Sequence, residues 1–599
     1  MCDGPLSSIY CNGDILYLSW QFGLQESCPG DKLKVNEAQV LFNFARLKYP
    51  IKREDFENFC NANFEKFDYL VPYPIVPKTG NLHYTNEINN MKHLKLAIEI
   101  NKRWNDLSKV FNQKLLLQPH LFPVRVVQDP FIIPGGRFNV YFYWDSYWII
   151  KGLARARLCE SSTFIVKNFI SLINQYGYVP NSGHIQLSRR SQPPMLLHMI
   201  EEQFASCQNI EYDWLEAAAK EMEFWETNRT IKIDNHTMFL YRTQTNCPRP
   251  ESFLADYNKG ISSTDPRKVW RGISSACESG WDFSSRWISD NSTNTIQADR
   301  IVPVDLNVIM AKNYYILFEL YNLFEMFDFA EVYKNKYEVL SNSIHELMWN
   351  ENENSWFDFN LDIESQSNKF YISNLFPLLL PSMQQHANKT VDLVKNITRF
   401  DGGIPISLTP STEQWDYPNT WAPTQHLFIQ SLRATNNLIL LEIAKTQSLK
   451  FIETVYNGVF NPPKGQNGTI WEKYDARSSN GTPGKGGEYI VQEGFGWTNG
   501  AVIDLIWQVR DEFPKRIIPK PRNNSLKRNT RKPAPRIDQN SLLMQWFVIS
   551  VFLFVICCIL IDNFIIVCLN FLVTFFTIII ECINYLLRLC ESDPEYDRF

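Results

Sequence analysis

The chain has 599 residues and 13 cysteines but no Cys-x-x-Cys pair, and only nine histidines, so no zinc-like ligand spacing is present. No Gly-rich loop of phosphate-binding form appears; Gly484-Lys485-Gly486-Gly487-Glu488 lacks the spacing for one. Charge of one sign is also missing. Against 59 basic residues stand 64 acidic ones, a net of −5, which gives nucleic-acid binding no footing. No repeat of roughly 20–50 residues is visible, which argues against a solenoid. Residues 1–33 show no basic stretch leading into an apolar one, the form of a secretory leader. On this reading the chain either starts in the cytosol or continues upstream of the given sequence. What remains is 45% hydrophobic and 21% charged, an ordinary globular composition that excludes collagen-like, coiled-coil and wholly disordered chains.

Apolar residues recur at helical spacing through much of residues 36–513. The pattern predicts helices at 37–47, 55–67, 87–111, 214–228, 308–327, 330–349, 424–446 and 449–460. Alternation over 230–241 predicts a hairpin. Residues 1–35 read as an irregular lead-in. Many helices joined by aromatic-rich loops point to an all-α globule or an α/α toroid. Cys2, Cys11 and Cys28 suit either disulfides or buried thiols.

Residues 542–561 carry no charge over 20 positions, the length a bilayer-spanning helix needs. A second apolar run, 564–580, follows the polar pair Asp562-Asn563. The region 542–580 therefore reads as one span or a hairpin, after a basic, Pro-containing linker (514–541) and before a polar tail (581–599). The chain is expected at a membrane, the plasma membrane, in contact with lipid. Orientation stays open. Nine basic residues between 515 and 536 place the preceding side in the cytoplasm by the positive-inside rule. Sequons at Asn228, Asn235, Asn291, Asn388, Asn396, Asn467, Asn480 and Asn523 point instead to a glycosylated, extracellular or lumenal domain.

The loops between helices concentrate Trp, Gly, Arg and carboxylates. In order come Pro134–Phe138, Tyr143–Trp148, Pro180–His184, Arg189–Pro194, Pro248–Glu251, Glu278–Trp287, Gln414–Pro423, Trp471–Asp475, Gly486–Tyr489 and Gly494–Gly500. Aromatic faces cover the C–H face of a pyranose, and planar charged groups hold its hydroxyls in pairs. Glycoside hydrolysis needs one protonated carboxyl and one ionised one. Asp145, Glu251, Asp282, Asp416, Glu472 and Glu488 are candidates, and sequence arithmetic does not choose among them.

These motifs, in this order, resemble the trehalases of glycoside hydrolase family 37 over roughly residues 36–512. PGGRF…YWDSYW (134–148) is similar to that family's first signature and QWDYPNTWAP (414–423) to its second. The resemblance implies an (α/α)6 toroid that hydrolyses α,α-trehalose to two glucoses with inversion, without metal or cofactor. It implies Asp282 as general acid and Glu472 as general base, 190 positions apart in the chain. It implies sugar contacts from Arg137, Trp144, Asp145, Asn181, Arg190, Ser191, Gln192, Arg249, Glu251, Gly280 and Glu488. An inverting pair is expected about 6.5–9.5 Å apart, leaving room for water. The chain departs from the family at Val140, where Glu is usual, at Thr420 and at Ser182. Val140 motivates an alternative, a non-catalytic sugar-binding relative.

Overall fold

The computed structural model describes residues 6–288 and 296–514. Five helices are buried nearly all round, the signature of elements enclosed by others. They are Asp145–Arg155, Leu196–Cys207, Val304–Leu323, Ala422–Arg433 and Gly496–Gln508. With the 3-10 segment Ile372–Leu379 they form a closed circuit. Each packs on the next in chain order, and Gly496–Gln508 returns to pack on Asp145–Arg155. Helices with one buried face lie outside this circuit: Met91–Leu107, Cys159–Tyr176, Tyr212–Asn228, Phe327–Met348, Ala387–Ile397 and Leu438–Phe460.

The closure has a local cause. A Cβ on Gly500 would sit 1.8 Å from the Trp148 carbonyl oxygen, and one on Gly152 would meet the Gly500 Cα at 2.6 Å. Only a glycine pair lets the first and last inner helices approach this closely.

Several expectations are met. The hairpin at 230–241 is present as strands Thr230–Ile233 and His236–Phe239 in antiparallel register. Others are corrected. Residues 1–35 are not irregular: Ser7–Tyr10 and Asp14–Gln21 are helical, and Leu6, Ile9, Tyr10 and Ile15 build a separate small core with Phe56, Phe59 and Phe64. The expected helix 424–446 breaks at 434–437. The Asn437 side chain accepts the backbone N–H groups of Ile439 and Leu440 at 2.9 and 3.0 Å, so the chain restarts there as Leu438–Phe460. Cysteine also resolves: Cys28 pairs with Cys60 and Cys159 with Cys207, while Cys11 is disulfide-bonded. Among the described residues Cys247 and Cys277 are free. The apolar region 542–580, the tail 581–599 and the linker beyond 514 lie outside the described residues. Within those residues no helix is long and apolar enough to cross a membrane.

Candidate active site

The loops that run into the N-termini of the inner helices converge on one cavity of about 430 Å³. Trp144 and Asp145 open the helix Asp145–Arg155, Gln192 precedes Leu196–Cys207, Trp421 precedes Ala422–Arg433, and Phe495 and Trp497 flank the start of Gly496–Gln508. Of the thirteen residues the family resemblance nominates, twelve line this cavity. Ser191 does not. It is buried behind the wall, donating its hydroxyl to the Val179 carbonyl at 2.7 Å and its N–H to Glu278 at 3.0 Å.

Asp416, among the six carboxylates, is likewise absent from the cavity lining. It accepts from Ser284 Oγ at 3.0 Å, Ser285 N–H at 2.7 Å and Ser411 Oγ at 2.5 Å. Those bonds tie the loop after Asp282 to the loop 411–416, a structural task that sequence alone does not separate from a chemical one.

Five carboxylates therefore face the cavity, and their surroundings differ. Asp282 follows the helix Pro266–Glu278 through Gly280. Gly280 has φ +75°, and a Cβ there would meet the Trp144 ring at 2.7 Å, so glycine is required for the turn to pass the indole. The Asp282 carbonyl accepts from Gln414 Nε2 at 2.5 Å, which fixes the backbone beneath the carboxyl. Among the described residues no side chain donates to that carboxyl. Lost hydration pushes it up to about 7, against the pull of Arg249 and Arg190 and with Glu488 adding to the rise.

Glu472 lies just before the strand Lys473–Asp475 and is buried. Its carboxylate accepts from Tyr489 Oη at 2.8 Å and from the Gln492 N–H at 3.3 Å. Burial pushes its pKa up, and Lys473, these two donors and Arg137 pull it back toward the ionised form. Lys473 itself is driven down to about 8 by burial. It donates to Gln414 Oε1 at 2.7 Å, so one Gln–Lys link joins the Asp282 backbone to the neighbour of Glu472. Asp145 is raised well above the usual range, first by burial and then by Glu472 and Asp282.

The arginines are braced by neighbours in the cavity wall and, for Arg249, by Asp256 behind it. Arg249 is held by Asp256 at 2.8 and 2.9 Å and reaches Glu488 at 3.2 Å. Arg190 donates to Glu251 at 2.6 Å, and Arg137 lies over the Tyr489 ring at 4.8 Å. A stack of Trp281, Trp415 and Trp421 backs the wall, with centroids 5.6 and 3.9 Å apart in near-parallel planes.

The resemblance left several lining residues unnamed. Tyr489, Trp415, Trp421 and Trp497 sit inside the quoted motifs, whose aromatic density was the signal for them. His184 and Gln186 lie in the loop after Pro180, and Trp20 comes from the lead-in segment, where nothing in the sequence pointed to a cavity. Val140 is fully buried and off the cavity, packed toward Gly183.

Comparison with known proteins agrees in extent with this geometry. The Trehalase family profile matches residues 31–509. The chain is 33% identical to a trehalase of Oryctolagus cuniculus over 536 residues, covering 85% of this chain and 91% of that protein. It is 32% identical to a trehalase of Homo sapiens over 535 residues, covering 85% and 90%. In fold it is similar to the neutral trehalase of Saccharomyces cerevisiae, with a TM-score of 0.53 at 22% identity, covering 64% of this chain and 75% of that one.

Proposed function

The chain belongs to the trehalase family, and we propose that its cavity splits α,α-trehalose by a single displacement with inversion, Asp282 acting as acid and Glu472 as base. The chain is a glycoside hydrolase that converts trehalose to two glucose molecules. The observation that carries the assignment of roles is the unequal environment of two carboxyls in one cavity. Asp282 is raised to about 7, and among the described residues only a backbone N–H donates to its carboxyl, so it holds a proton to give. Glu472 receives two hydrogen bonds and the field of Lys473 and Arg137, which favour the ionised form that takes a proton.

In the proposed step the Asp282 proton passes to the glycosidic oxygen as the C1–O bond breaks. Glu472 removes a proton from a water that attacks the same C1 from the opposite face. One glucose leaves with its own anomeric carbon untouched, and the other is released with inverted C1. Asp145, Arg190, Arg249 and Glu251 bind hydroxyls, and Arg249 and Arg190 also keep the Asp282 pKa from rising further. The reading of Val140 as a mark of lost activity is not favoured, because the residue stands behind the wall and all five cavity carboxylates are present.

A glucose-release assay on the full chain tests the roles. Asp282→Asn and Glu472→Gln are each expected to lower kcat by about a thousandfold. Near wild-type turnover in either variant refutes its role.

We read the circuit of six inner elements with helices outside it as an (α/α)6 toroid. For the rest of the chain we propose a membrane anchor in 542–580, as one span or a hairpin, with the catalytic domain extracellular or lumenal. Two observations support this side. Cys28–Cys60 and Cys159–Cys207 are disulfides, which persist in oxidising compartments. Asn235, Asn388, Asn396, Asn467 and Asn480 are all exposed sequons. A chain from a secretory host that shows no mass loss on treatment with an N-glycosidase contradicts that placement.

A further inference from the structure

Resting on the trehalose-splitting assignment, we propose that Trp20 is the specificity-determining platform for the glucosyl unit that departs, delivered to the cavity by the N-terminal segment. Among the described lining residues Trp20 alone comes from the chain before Arg137. Its burial also sets it apart. Trp144, Trp415, Trp421 and Trp497 are at most 5% exposed, whereas Trp20 is half-buried, in the company of the exposed Arg137 and Glu488. The deep wall of the cavity is thus built from the toroid's own indoles, and Trp20 adds a ring at its mouth. A disaccharide whose first ring occupies the deep end beside Glu472 must place its second ring toward that mouth. An indole face there covers the C–H face of the second ring.

The way Trp20 is held is built rather than incidental. It sits in the helix Asp14–Gln21, which packs on the helix Phe253–Ile261. Tyr17 meets Phe253 and Tyr257 edge-on, with centroids 6.4 and 6.2 Å away. Phe253 directly follows the cavity residues Glu251 and Ser252. On the other side Ile185 packs into the small N-terminal core, and its neighbours His184 and Gln186 line the cavity. The N-terminal segment therefore docks on two loops that form one side of the cavity. Within the segment Ser19, next to Trp20, donates its hydroxyl to the carbonyl of Cys28, which is bonded to Cys60. Helix, disulfide and small core together fix the indole's position.

The test compares two substrates on the full chain. Trehalose needs both sugar positions; α-D-glucosyl fluoride, with fluoride as its leaving group, needs only the deep one. For Trp20→Ala, the ratio of kcat/KM on trehalose to that on the fluoride is expected to fall about tenfold. Trp20→Phe keeps a ring and is expected to hold the ratio within about threefold of wild type. An unchanged ratio in Trp20→Ala overturns the proposal, whether both activities persist or both fall together, since equal loss marks a purely structural role. A wild-type chain that splits neither substrate instead sinks the underlying assignment, and this inference with it.

Discussion

Asp282 and Asp504 are the same residue type removed from bulk water in one domain, and they end in opposite states. Asp504 lies among the inner helices, fully buried, with Arg155 at 2.7 Å and His426 at 2.8 Å. Burial pushes its carboxyl up, but Lys151, His426 and Arg155 outweigh that and hold it well below the usual range. Lys151 also pairs with Glu202 at 2.5 Å, which extends the network across four inner helices. Asp282 feels Arg249 and Arg190 too, yet both spend their closest bonds elsewhere, on Asp256 and Glu251. Burial therefore wins, and the carboxyl rises to about 7. Lost hydration opposes ionisation in both places, although Asp504 is fully buried and Asp282 opens onto the cavity; the distance to a committed cation decides whether a carboxyl stays a structural anion or becomes an acid.

The contrast breaks most severely at Asp504. Asp504→Asn removes the anion that Arg155 and His426 contact and leaves Arg155 and Lys151 to Glu202, and is expected to cost about 3 kcal/mol, read from the urea midpoint. Because Asp504 is off the cavity, the molecules that stay folded should keep the wild-type pH profile. A shifted profile would mean the two regions are electrically coupled.

A milder change sharpens the cavity side. Lys473→Met removes the cation beside Glu472, so the base becomes harder to ionise. The acid limb of the kcat/KM profile is expected to move up by about one pH unit. The alkaline limb, which reports loss of the Asp282 proton near pH 7, should move less. A downward shift of the acid limb would contradict the assignment of Glu472.

The smallest effect is on stability at Asp282 itself. Its folded pKa is raised from 3.8 to about 7, so the folded state binds the proton more tightly than the unfolded one. The resulting cost is absent below pH 3.8, grows as pH rises, and is complete above about 7. Asp282→Asn, which carries no charge to desolvate, is expected to raise Tm by about 2–4 °C at pH 8 and to lose that advantage at pH 4. An equal gain at both pH values would place its origin outside the titration.

Sequence carried the motifs further than it carried the elements. Twelve nominated residues converge because aromatic and charged side chains in ordered loops are visible at any distance in a chain. Ser191 and Asp416 share that chemistry but face backbone rather than cavity, a distinction set by packing. The helices Asp145–Arg155 and Gly496–Gln508 begin inside two of those motifs and carry no helical signal of their own, since burial on all sides erases the amphipathic period that marks a helix. The break before Leu438 rests on the Asn437 cap, which apolar periodicity running across it hides in the sequence. Trp20 was out of reach, because its place at the cavity depends on a small core and a disulfide joining residues 32 positions apart.

The central claim is that Asp282 and Glu472 work as an inverting pair on opposite faces of one C1. Proton NMR of the glucose released in the first seconds of trehalose hydrolysis tests it most directly. Inversion predicts α- and β-glucose in equal amounts before mutarotation, one from each half of the substrate. Release of α-glucose alone would contradict it.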